Sequence, residues 1–358
     1  MKMKVRIKLK KMGYLLWPAG ITLLAMNAYS SDSNRCSNQN NLKQPLVNSF
    51  GRLQPRHQDS VGWCYAYAAA DMLSHELGKE ISAIDLANAY SATTLHGGIM
   101  RLLGRDESEI QAGFTPTALR RGLERGLCLE ENVPSSDFFY ARNYQSYLEE
   151  LADIENIYRL YQQRTTRTHS QGELSRSQAR MEFAEDLVCR AEVFGDWRSM
   201  FPTLGLDELM DILARSTSTN SFVHNLIKEN CEPRLDNEQT QSLKVRRNIS
   251  FLGLGFGTGR LMNQIDEQLD NGKIVAVSYP ESILIDPANA QRRRFADHTS
   301  TIVARRFNPQ TNQCEYMLRN TWGRGCIYHE SYECEDGHIW IPENVMRRSV
   351  REVTYLEN

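Results

Sequence analysis

The alternation of apolar and polar positions divides the 358-residue chain into a helical first part and a strand-rich last part. From Cys64 onward, Ala66, Ala69, Ala70, Leu73 and Leu77 recur at the intervals of one helix face, and Gly78 supplies a stop. A second predicted helix, 82–90, has Ser82 as its cap and Asp85 at the third position, where a capping box would use Glu or Gln. Further on, Tyr144, Tyr147, Leu148, Leu151, Ile154, Ile157, Tyr158 and Tyr161 make an amphipathic helix with a tyrosine-rich face. Weaker helical patterns follow at 181–194, 206–213 and 222–227, and the polar segment 164–180 reads as solvated. A helix over 260–269 places Leu261, Ile265 and Leu269 on one face and stops at Asn271-Gly272. The apolar run 274–278 then reads as a buried strand, and 299–303, 314–319, 337–342 and 350–356 as more strands.

The first 30 residues change the picture of where this chain works. Six basic residues precede an apolar run over 13–26, and Ala28 and Ser30 occupy the minus-three and minus-one positions before Ser31. This is the pattern of a cleaved secretory signal peptide, and the apolar run is short for a span of about 20 residues. It implies Sec-type export to the periplasm or the outside, with no membrane association once the leader is removed. The whole chain has 42 basic and 44 acidic residues, so without the six basic residues of the leader it carries about −8. Such a charge gives no attraction for nucleic acid or anionic membranes. A hydrophobic content of 41% suffices for an ordinary core.

Eight cysteines bear on the same question. With Cys64 set apart, seven remain, enough in an oxidising compartment for three disulfides and one further thiol, with the connectivity open. Cys326, His329, Cys334 and His338 are four potential zinc ligands, but their spacing matches no strong zinc pattern. A disulfide or plain loop is the expectation there, and neither a metal nor an organic cofactor is expected. The glycine-rich 253–259 fits neither a dinucleotide fingerprint nor a phosphate loop and reads as a turn before a helix.

Cys64 stands where a polar loop enters the alanine-rich helix. A helix N-terminus favours the thiolate, the reactive form of cysteine. Gln58 lies six residues upstream, with Gly62 permitting a tight turn, so its amide can fold back beside the sulfur as an oxyanion donor. Alone, such a cysteine would read as an inert buried thiol. It has company, because His298 opens a predicted strand and Asn320 follows another, just before Trp322-Gly323.

In this order of Gln, Cys, His and Asn the chain resembles the papain-like (C1-type) cysteine peptidases, as an exported, bacterial-type member without the usual long propeptide. The resemblance implies an α+β, two-lobed papain-like fold, with a helical lobe around a central helix and an antiparallel β-barrel-like lobe. The corresponding division is a signal peptide over 1–30, a helical lobe over 31–140, a mostly helical insertion over 141–245 and a β-rich lobe over 246–358. The family signature C-G-[S/A]-C-[W/Y] reads here Val61-Gly62-Trp63-Cys64-Tyr65. Val61 removes one cysteine of a family disulfide, Ile110 stands where its partner would be, and Trp63 replaces a small residue beside the nucleophile. By resemblance Cys64 is the nucleophile, His298 its base, Asn320 the orienter of the imidazole and Gln58 the oxyanion donor. Gly113, Trp63, Trp322 and Asp297 fall on the substrate side, with Trp322 shielding the His–Asn bond from water. Gly113 matches a glycine whose bare backbone pairs with extended substrate, although an ordinary turn glycine explains it as well.

His298 lies 234 residues after Cys64, against about 130–150 in the family, so roughly 90 extra residues separate the two halves. They either enlarge the domain or lie over the cleft as a lid. The implied activity is hydrolysis of peptide bonds in a peptide or protein substrate. Two other readings stay open: a catalytically silent papain-like domain that binds peptides or a protein, and an acyltransferase that passes the acyl group to an amine. The oligomeric state is not set by the sequence.

Overall fold

The computed structural model describes Cys36, Phe50 and residues 54–58, 62–93, 113–135, 158–159, 201, 204–216, 219–235, 240–250, 257–288 and 295–357. The expected signal peptide, Val61, Ile110, Cys189, the glycine-rich turn up to 256 and nearly all of the tyrosine-rich and 181–194 helices lie outside these residues. The protein is α+β. Among the described residues the helices are α1 (Cys64–Leu77), α2 (Ala83–Thr93), α3 (Thr115–Arg125), α4 (Leu206–Arg215), α5 (Thr219–Asn230), α6 (Thr258–Asp270), α7 (Ser282–Ile285) and α8 (Glu343–Ser349). The strands are β1 (Lys244–Ile249), β2 (Val275–Tyr279), β3 (His298–Asn308), β4 (Gln313–Arg319), β5 (Glu333–Glu335), β6 (His338–Pro342) and β7 (Glu352–Glu357). They form one antiparallel sheet in the order β1-β7-β2-β3-β4-β6-β5.

Strand periodicity explains how the sheet serves two cores. Val275, Val277 and Tyr279 of β2, Tyr316 and Leu318 of β4, and Ile339 and Ile341 of β6 point to one face, where Leu261, Met262 and Ile265 of α6 and Met346 of α8 meet them. The alternate positions Ala276, Met317 and Trp340 point to the other face and pack with α1. In β3 a register shift between Ile302 and Ala304 breaks the alternation, so that Ile302 joins the first core while Val303 and Ala304 both turn toward α1. With both faces covered, the strands read as apolar runs, which is why the sequence marked them clearly.

The central helix is buried almost all round, from Cys64 to Ser74, and ends at Gly78 in the left-handed region (φ 61°). Its alanines let α2 and α3 approach on one side and β3 and β2 on the other. Ser82 caps α2 through its hydroxyl, which accepts from the Asp85 N–H at 3.2 Å. Helices α4 and α5, from the stretch expected as an insertion, build their own core around Phe201, Leu209, Leu213 and Phe222. Ile84, Cys128 and Val133 belong to that core too, and the Cys128–Cys231 disulfide ties α5 to the segment after α3. Tyr158 packs against the same core. Two further disulfides, Cys36–Cys314 and Cys326–Cys334, account for the remaining described cysteines other than Cys64. No described helix is long and apolar enough to cross a membrane.

Charges are also buried at the junction of α1 with the sheet. Arg56 bonds Asp71 of α1 at 2.8 Å and Glu130 at 3.2 Å, and Arg319 of β4 reaches the other oxygen of Asp71 at 3.3 Å. All four side chains are 5% exposed or less. Burial without such partners would be prohibitive.

Candidate active site

The first residue of α1, the first residue of β3 and the residue after β4 come together where the helix meets the sheet. Cys64 begins α1 once the Trp63 carbonyl has accepted the Ala66 and Tyr67 N–H groups at 2.8 and 3.1 Å. His298 begins β3, and the β3–β4 pairing of Thr301 with Arg319 brings Asn320 opposite Ser300, two residues along β3 from His298 and on the same face of the strand. His298 Nε2 lies 2.7 Å from Asn320 Oδ1. An amide oxygen only accepts, so Nε2 carries the proton. Cys64 hydrogen-bonds the same imidazole. All three side chains are buried, Asn320 completely.

Burial works against the imidazolium. The hydrogen bond and charge of Cys64, the Asn320 oxygen and the Asp297 carboxylate outweigh it, so the pKa of His298 lies above the ordinary histidine value. Asp297 contributes from its exposed position beside His298, where its carboxylate accepts the Glu281 N–H at 2.5 Å. Trp322 lies along the imidazole, ring centres 5.5 Å apart, and stacks on Tyr328 at 5.6 Å.

Gln58 is joined to the same loop. Its N–H donates to the Thr321 carbonyl at 2.8 Å, and the Thr321 hydroxyl donates to its Oε1. His57 bridges Trp322, and the Gly323 N–H donates to the Arg56 carbonyl at 3.1 Å. Segment 56–58 is thus zipped to 321–323, and holding Oε1 on Thr321 turns the amide NH2 of Gln58 to the opposite edge. Gly323 is required at this crossing, since its φ is 70° and a Cβ would sit 2.8 Å from the His57 ring.

Gly113 and Trp63 are placed by packing. A Cβ on Gly113 would fall 2.6 Å from the ring of Tyr65, so contact with α1 already demands a glycine here. Trp63 is half-buried against both the α1 core and the α4–α5 core.

Four residues of the site were not singled out in the sequence. Ser300 donates to Asn320 Oδ1 at 2.8 Å, and Tyr279 Oη lies 2.6 Å from Ser300 Oγ. The Asn320 amide N–H donates to Tyr328 Oη at 3.3 Å, and Thr321 holds Gln58. Ser300 carried a signal, because two residues along a strand share a face. Tyr279 and Tyr328 carried none, since each depends on strand register or loop folding: Tyr279 pairs with His298 across the sheet.

The four potential zinc ligands are otherwise engaged. Cys326 and Cys334 form a disulfide, His329 Nδ1 bonds the Ser331 hydroxyl at 2.7 Å, and His338 lies buried 3.1 Å from Arg319. Burial and the Arg319 charge press the pKa of His338 down to about 3. Asp85, Cys128 and Cys231 also converge, but the cysteines are a disulfide and Asp85 is bonded by Arg234 at 2.8 Å.

No family model matches this chain. No curated protein matches it either. Among solved structures it is similar to SERA5E of Plasmodium falciparum, with 12% identity, a TM-score of 0.44, and coverage of 89% of this chain and 95% of that one. It is also similar to digestive procathepsin L 3 of Tenebrio molitor larval midgut, at 12% and 0.39, covering 91% and 77%. A third is pepw of Lactobacillus rhamnosis, at 11% and 0.41, covering 84% and 79%. Likenesses this slight carry no argument about activity, which has to come from the site's own geometry.

Proposed function

We propose that the protein is an exported papain-like cysteine peptidase, with a helical lobe, a β-rich lobe and a helical insertion that enlarges the first. The observation that carries this reading is the line Cys64–His298–Asn320, in which a buried thiol meets an imidazole whose other nitrogen is fixed by a buried amide. In that arrangement the imidazole accepts the thiol proton, and the sulfur attacks a peptide carbonyl carbon. The oxyanion is held by the Cys64 N–H, which lies in the first turn and has no intrahelical acceptor, and by the amide NH2 of Gln58. The imidazolium then protonates the amine as the C–N bond breaks, leaving a thioester. Water attacks the thioester with His298 as base, releasing the carboxylate and restoring the thiol. Trp322 and Tyr328 cover the His298–Asn320 bond, and Asp297 supports the imidazolium from the open side.

Export is supported by the three disulfides, which persist in oxidising compartments. The test is hydrolysis of a mixed peptide library. Cys64→Ala should abolish cleavage while leaving peptide binding largely intact, and unaltered cleavage in that variant would remove the assignment.

A further inference from the structure

One feature of the sheet is not needed by the chemistry just described. Ser300 and Tyr279, both completely buried, form a line of hydroxyls running into Asn320. An asparagine amide can stand either way round, and only one way suits an imidazolium. With Oδ1 toward His298, Nε2 donates and the ring can hold a second proton. With the NH2 toward His298, Nε2 has to accept, and the ring can carry only one proton, on Nδ1. Tyr328 does not decide between the two, because its hydroxyl can accept from the amide nitrogen or donate to the amide oxygen. Ser300 alone does not decide either, for the same reason.

The far end of the line does decide. Tyr279 Oη has Ser300 as its hydrogen-bond partner among the described residues, at 2.6 Å in a completely buried site. Among the described residues its proton can be satisfied only by pointing at Ser300 Oγ. Ser300, having accepted, sends its own proton to Asn320, which must then present oxygen. With the amide reversed, its NH2 would aim at Ser300 Oγ, and one of the two hydroxyl protons would be left buried with no acceptor among the described residues. We propose that Tyr279 and Ser300 are positioning residues: they set the direction of a hydrogen-bond chain that locks Asn320 with its oxygen toward His298, and so keep the imidazole able to form the ion pair with Cys64. Burial holds the phenol well above its ordinary pKa, so it remains a donor across the working range.

The inference rests on the proposed Cys64–His298 pair, and the experiment separates the two. The second-order rate of Cys64 alkylation by a vinyl-sulfone or epoxide peptide probe is measured from pH 4 to 10. The titratable groups facing His298 are Cys64 from α1, Asp297 beside it, Tyr279 from β2 and, beyond Asn320, Tyr328. None but Tyr279 is altered in Tyr279→Phe, which removes one oxygen and keeps the packing. In Tyr279→Phe and in Ser300→Ala the alkaline limb, where the imidazolium is lost, should move down by about one pH unit, with a roughly tenfold lower rate on that limb. In an Asn320→Asp background, where both ends of the side chain are oxygen, Tyr279→Phe should add no shift. An unshifted limb in folded Tyr279→Phe, or the same shift in both backgrounds, overturns the proposal while leaving the peptidase reading in place. Absence of Cys64 labelling in the unaltered protein overturns both.

Discussion

Replacing Asp71 by Asn tests whether the buried charges at the junction of α1 and the sheet hold the molecule together. Asp71 gives one oxygen to Arg56 at 2.8 Å and the other to Arg319 at 3.3 Å, and Glu130 is the second carboxylate on Arg56. Two guanidinium charges thus face two carboxylates, all 5% exposed or less. The substitution keeps the shape and removes one negative charge, so one positive charge is left buried and uncompensated. Breaking a buried pair costs about 3–5 kcal/mol, and an effective dielectric near 20 gives about 4 kcal/mol for a single pair at 4 Å. Here two pairs are lost, but Glu130 and the Ile81 and Gln54 carbonyls still solvate the arginines at 2.7–3.2 Å, which keeps the expected loss within that range. Against a total of about 5–15 kcal/mol this is a large fraction. With a denaturant slope of about 3 kcal/mol/M, the urea midpoint should fall by roughly 1–1.7 M. The control is Glu124→Gln, which breaks an exposed pair with Arg121 and should leave the midpoint where it is. A midpoint for Asp71→Asn no lower than that of the control would refute the argument that these charges brace the junction.

The pKa of His338, pressed down to about 3, gives an acid window. Its unfolded value is about 6.5, so the unfolded chain takes the proton first, and the stability from keeping this ring neutral is complete above pH 6.5 and lost as pH falls toward 3. Between pH 7.5 and 5 the loss from this one group is about 2 kcal/mol, and His338→Gln should flatten that part of the curve in denaturant titrations at the two pH values. His298 works in the other direction, its raised pKa making a contribution that fades as pH rises, and it is common to both proteins. A curve for His338→Gln parallel to that of the unaltered protein would contradict the assignment. Gly113→Ala should lower the thermal midpoint by several degrees, because the new methyl meets the Tyr65 ring at 2.6 Å. An unchanged midpoint with a raised KM would instead mark Gly113 as a substrate contact alone.

What could be read from the sequence follows the physics of each element. The start and stop of α1, the α2 cap and strands β2, β3, β4 and β6 were legible, because apolar periodicity and Gly78 or Ser82 report local backbone needs. Cys64, Gln58, His298 and Asn320 were legible as residue types at the ends of such elements, and the structure gathers Cys64, His298 and Asn320. β1 was not foreseen: Lys244, Arg246 and Arg247 make it a charged edge strand, with no apolar alternation to announce it. The burial of Arg56, Asp71, Glu130 and Arg319 was not legible, since hydropathy cannot show that four charges from distant segments neutralise one another in the core. Tyr279 reaches the site only through the Tyr279–His298 register, and Tyr328 only through the loop closed by Cys326–Cys334.

The central claim is that Cys64 and His298 act as one nucleophilic unit. Its most direct test is labelling of the intact protein at pH 7 with a vinyl-sulfone peptide probe, read by intact mass and by peptide mapping. The account predicts one probe per chain, on Cys64, with the rate lowered by at least about a hundredfold in His298→Ala, the order expected when a general base is removed. Labelling of Cys64 at the same rate with and without the imidazole, or no labelling of the unaltered protein, would contradict it.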